Sequence, residues 1–75
     1  MTIVTRELAT SKVAYTNLTF DQAEFPQILQ AYDAVYKWIQ RNEHEITGSP
    51  REIYLRSSKG IDPDEYFIEI TWPYD

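Results

Sequence analysis

The segment "ILQAYDAVYKWI", Ile28–Ile39, constrains this chain more than any other. Its apolar residues are Ile28, Ala31, Tyr32, Val35, Trp38 and Ile39, at offsets 0, 3, 4, 7, 10 and 11. That spacing is one continuous stripe on an α-helix. A short helix is marginal in water unless its apolar face is covered. The other segments read as extended, so a sheet must supply the cover. The fold class expected is α+β: a small antiparallel sheet with one helix packed on one face.

Ile3–Leu8 and Lys12–Phe20 are rich in Val, Thr, Tyr and Ile and read as extended. Ala9–Ser11 is either an irregularity within one long strand or a turn. Asp21 and Glu24 have capping-box spacing. Pro26 lacks an N–H and belongs in a first turn. Asp21–Phe25 is therefore expected as a short lead-in turn, with the main helix from about Pro26 to Arg41. Gly48 and Pro50 punctuate a loop. Arg51–Ser57 alternates as a strand, Ser58–Asp64 connects, and Tyr66–Trp72 is the last strand, ended by Pro73. The order expected is strand, helix, strand, strand.

Side chains alternate across a strand. Ile53 and Leu55 share one face of their strand, and Glu52, Tyr54 and Arg56 the other. Tyr66, Ile68, Ile70 and Trp72 share one face of the last strand, and Phe67, Glu69 and Thr71 the other. The aliphatic sets are the expected partners of the helix. The open face then collects Glu52, Tyr54, Phe67, Glu69 and Thr71, joined by Tyr15 and Asn17. Trp72, near the sheet end, fits either the core or the edge of this face. A small domain seldom leaves such a patch bare without using it.

Composition narrows the functions. Aromatic residues make up 15% of the chain, more than a small core can hide. The excess points to a ligand surface or a subunit interface. The net charge is −5, and Arg51 and Arg56 are isolated, so the basic stripe that nucleic-acid binding requires is missing. There is no cysteine for a disulfide or thiolate metal site. There is also no apolar run long enough to span a membrane and no signal-peptide pattern. A soluble cytoplasmic protein without a cofactor is the default.

A carboxylate among aromatics resists ionisation, and a cationic aromatic ligand would relieve that cost. Glu69, Phe67, Tyr54, Glu52, Tyr15 and Trp72 are thus the candidate ligand-binding residues. The same groups could act as general acid or base, with Glu69 or Glu52 beside Tyr54 or Tyr15. No nucleophile triad, phosphate loop or metal motif supports other chemistry. His44, between Glu43 and Glu45, reads as a solvated loop residue. Trp38 reads as core or as part of the helix–sheet seam.

"AYDAVYKWIQRNEHEITGSPREIYLRS" followed by "DPDEYFIEITWPY" resembles the second half of the gyrase-inhibitor-like domains. These are the effector-binding domains of MerR-type and AraC-type bacterial regulators. The resemblance covers roughly Val4–Tyr74. It implies one strand–helix–strand–strand module, 1–75, of a fold that uses two. Two such modules flank a groove for lipophilic, often cationic, aromatic compounds, in the setting of transcription regulation and multidrug sensing. Glu69 matches the ligand-contacting acid of the last strand, and Glu52 and Tyr54 match the strand before it. Some members hydrolyse small reactive compounds with a Glu and a Tyr; the gyrase-inhibitor relation implies instead a protein-interaction module. The chain lacks the glycine-containing stretch usual before the helix, and it is a single module. The resemblance therefore implies a homodimer or a second module, with Glu69 faces near one axis.

Overall fold

The computed structural model describes residues 1–75. It is α+β: one helix on a four-stranded antiparallel sheet. The elements are β1 (Val4–Glu7), β2 (Lys12–Thr19), α1 (Ile28–Arg41), β3 (Arg51–Tyr54) and β4 (Tyr66–Tyr74). The sheet order is β1-β2-β4-β3. No helix is long and apolar enough to cross a membrane.

Ala9–Ser11 is a turn rather than a kink in one strand: the Leu8 N–H donates to the Ser11 carbonyl, and β1 folds back on β2 as a hairpin. This places Thr5 opposite Ala14 and Arg6 opposite Val13. β2 then pairs along its length with β4, Ala14 opposite Trp72 and Leu18 opposite Ile68. β3 closes the far side of β4, Arg51 opposite Thr71 and Tyr54 opposite Ile68.

The helix stripe is buried as its spacing requires. Ala31, Val35 and Ile39 are fully enclosed. One cluster joins Val35 and Ile39 to Ala14 and Tyr74; the other joins Ala31 to Leu18, Ile68 and Ile70. Burying each large aliphatic side chain contributes roughly 1.5–3 kcal/mol. Ahead of α1 the chain runs through tight turns. Asp21 makes no side-chain cap; the Ile28 N–H donates instead to the Glu24 carbonyl, and Gln27 stands at the N-cap without a side-chain bond. The capping box is thus not formed, and the helix begins two residues after Pro26.

At its other end α1 closes with a Schellman arrangement. The His44 N–H reaches the Ile39 carbonyl, the Glu43 N–H reaches the Gln40 carbonyl, and Glu43 takes a left-handed φ of 60°. This turn folds His44 back onto the sheet. Its ring lies 4.6 Å from Tyr74 and 5.9 Å from Trp38. His44 is therefore half-buried in an aromatic cluster, not a solvated loop residue.

Two strand limits differ from expectation. β3 ends at Tyr54, with one further rung from the Leu55 N–H to the Phe67 carbonyl. β4 does not stop at Pro73 but continues to Tyr74. Pro73 is tolerated because its carbonyl, and hence its missing N–H, faces the Thr47 side, beyond the Arg51–Thr71 pair where β3 begins.

Candidate functional site

The helix covers one face of the sheet and leaves the other open. Register assigns the open face row by row. One row runs Val4, Tyr15, Thr71 and Arg51; the next holds Asn17, Glu69 and Ile53. Glu69, Tyr15 and Asn17 are on this face, as the alternation requires.

Glu52, Tyr54 and Phe67 are not. Glu52 lies opposite Ile70 and Tyr54 opposite Ile68, so both belong to the helix side. The physical reason is visible at Glu52, whose carboxylate accepts a short hydrogen bond from the Tyr32 hydroxyl on α1. Ile53, the residue expected to meet the helix, faces out instead and lies opposite Glu69. Phe67 changes side through a register shift: β2 steps from Leu18–Ile68 to Thr19–Tyr66, leaving Phe67 without a partner on β2. Its ring joins the Leu18 cluster and stands edge-on to Phe20 and Tyr54, at 5.1 and 5.4 Å. Trp72 also belongs to the helix side. It packs against Tyr32 and Tyr36, and its Nε1 donates to the Gly48 carbonyl at 3.1 Å.

Six candidates thus separate into two groups. Glu69 and Tyr15 share the open face; Glu52, Tyr54, Phe67 and Trp72 form an aromatic seam beside the helix. In that seam burial, followed by the hydrogen bond to Glu52, pushes the Tyr32 hydroxyl up to about 12. Tyr32 therefore stays protonated and donates throughout the neutral range. The expected Glu–Tyr54 and Glu–Tyr15 pairs do not form: Glu52 is engaged by Tyr32, and Glu69 by Arg6.

Arg6 is the residue that the sequence did not single out. Its side chain crosses the open face, the guanidinium carbon 4.3 Å above the centre of the Tyr15 ring. Nη2 then donates to Glu69 Oε1 at 3.1 Å. Tyr15 first, and Glu69 second, hold the guanidinium above its ordinary pKa. The pair is asymmetric: the Arg6 side chain is 45% exposed and that of Glu69 is 5% exposed. The signal that could have found Arg6 was the hairpin itself. Reading Ala9–Ser11 as a turn puts Arg6 opposite Val13 and diagonal to Tyr15.

Two buried acceptors beside this pair have no partner. They are Glu69 Oε2 and the Oδ1 of Asn17, its cross-strand neighbour. Next to them lies an open cleft of about 490 Å³. Val13, Thr71 and Pro73 form its floor. Arg6 and the hairpin make one wall; Arg51, Ile53 and the Thr47–Ser49 loop make the other. Glu69 also lines it. The volume is within the usual range for small-molecule sites, about 300–1,000 Å³. No three His, Asp or Glu side chains converge where a metal could be held.

No protein-family model, curated protein or solved structure matches this chain.

Proposed function

We propose that this chain is a small-molecule-binding module of the effector-binding type, and that its ligand lies in the cleft on the open sheet face. One observation carries the reading: the cleft borders a nearly buried Glu69 that is positioned by Arg6 and has an unsatisfied oxygen. Small-molecule sites combine an apolar floor with a few convergent polar groups, and this face has both. A nearly buried carboxylate is costly to keep for stability alone, and a role in such a site gives a reason for Glu69. The effector-binding resemblance points to the same strand and the same acid.

Arg6 already holds Oε1 of Glu69, so a cationic ligand would compete with it for that oxygen. A second copy of the chain, or a second module, would close the cleft from above.

The test is an amide NMR titration with small aromatic compounds, alongside sedimentation at micromolar concentration. Binding at this site shifts the amides of Val13, Ile53 and Thr71, and Ile53→Glu abolishes those shifts while the remaining spectrum stays folded. Shifts confined to the Tyr54–Phe67 seam would refute the cleft as the site.

A further inference from the structure

The cleft carries a charge pattern that differs from the rest of the molecule. The chain as a whole is at −5, yet the charged side chains lining the cleft are two arginines and one carboxylate. Glu69 neutralises Arg6 through one nitrogen only, Nη2. Arg51, on the opposite wall, makes no ion pair; the chain's salt bridges are Arg6–Glu69, Lys37–Asp33 and Arg56–Glu65. The cleft therefore holds a formal surplus of one positive charge, carried by two arginines that line it from opposite walls.

Resting on the reading of this cleft as a ligand site, we propose that its ligand is a small monocarboxylate with an apolar body, its carboxylate held between Arg51 and the free edge of Arg6. Planar guanidinium forks match a carboxylate and can bind it through paired hydrogen bonds. Val13, Ile53 and Pro73 receive the apolar part, and the Thr47 and Ser49 hydroxyls stand at the same wall. A single negative charge fits a surplus of one. A dianion such as a phosphate monoester meets a carboxylate at Glu69 and the field of an acidic chain. Glu69 acts here as a positioning residue: with Tyr15 beneath the guanidinium, it fixes Arg6 across the face.

Three probes share one ring and differ in head-group charge: benzoate, benzamide and benzamidine. Phenyl phosphate is the fourth. Each is titrated into the full chain and followed by the amide shifts of Val13, Ile53 and Thr71. The expected order is benzoate tightest, benzamide weaker and benzamidine weakest, with phenyl phosphate below benzoate. Arg51→Gln, at an exposed position, weakens benzoate about tenfold and benzamide by much less, as loss of one charge-assisted contact implies. Benzamidine binding tightest would overturn the carboxylate assignment and leave the cleft standing as a site. Phenyl phosphate binding above benzoate, or benzoate indifferent to Arg51→Gln, also overturns it. If none of the probes shifts these amides, the cleft reading fails together with the ligand class.

Discussion

Arg6 Nη2 and Glu69 Oε1 meet at 3.1 Å although 63 residues separate them in the chain. The edge strand β1 thereby contributes a cation to the carboxylate of the central strand β4, across the intervening strand β2. Removing the cation leaves a nearly buried carboxylate without compensation. Arg6→Ala should lower the thermal midpoint clearly, and Arg6→Ala combined with Glu69→Gln should recover most of the loss. A double-mutant cycle measures this coupling; simple additivity of the two changes would remove the basis for treating them as a pair.

Asn17 faces Glu69 directly on β2. Like charges placed opposite one another in a sheet repel, at a cost of up to about 1 kcal/mol. Asn17→Asp should destabilise by at least that amount at neutral pH, because Glu69 is enclosed. Urea midpoints of variant and parent at pH 7 give the comparison, and equal midpoints would show that the two positions do not interact.

Tyr32 gives the alkaline limb of stability. Its hydroxyl is pushed up to about 12 from an ordinary 10 by burial and by its bond to Glu52. A group whose pKa rises on folding contributes stability that is complete below the unfolded value. That contribution is lost as pH climbs through the folded one. The window is therefore from pH 10 to about 12. Tyr32→Phe should flatten part of the decline seen in denaturant midpoints across that window, and an unchanged slope would show that the Tyr32–Glu52 bond carries no such linkage.

Glu43 holds a left-handed φ of 60° at the end of α1, a position that favours glycine. Glu43→Gly should stabilise by about 0.5–1 kcal/mol, with the helix end unchanged. A rise in the thermal midpoint of a few degrees is the expected readout.

Gly48 lies on the cleft wall, where an added Cβ would come within 3.1 Å of the Pro73 ring. Pro73 has little freedom to yield. Gly48→Ala should cost about 1 kcal/mol and strain the Trp72 Nε1 bond to the Gly48 carbonyl. A change in tryptophan emission is expected, and unchanged emission and stability together would show that the loop moves freely.

The helix and its buried stripe were legible because six apolar positions repeat at one period, and no other arrangement buries them. In β2, alternation puts Tyr15 and Asn17 on the open face and so sends their neighbours Ala14 and Leu18 into the core. The phase of β3 was not. "REIY" alternates equally well either way, and its direction depends on pairing with β4 and on Tyr32 being placed to receive Glu52. Hydrophobicity alone sends Ile53 inward; the hydrogen bond sends Glu52 there instead. Phe67 was misplaced because a register shift reverses the alternation locally, and nothing in "EYFIE" marks it. Of the candidate site, Glu69 and Tyr15 were placed correctly from alternation. Arg6 was not, since a contact across the whole sheet has no local signature, and Arg51 was not, because its face depends on the phase of β3.

β4 is bonded on both sides, to β2 and to β3, while neither of these touches the other. The β1–β2 hairpin can close early from near neighbours, whereas the helix needs the sheet to cover its apolar stripe. β3 and β4 are consecutive and antiparallel and can also pair locally, but the middle of the sheet forms only when Leu18 has found Ile68. Long-range pairing incurs loop-closure entropy before it gains contacts, so joining β4 to β2 is the step expected to be slow. The hairpin wall of the cleft can thus exist early, and the Arg51–Ile53 wall is brought opposite it only when β4 pairs with β2.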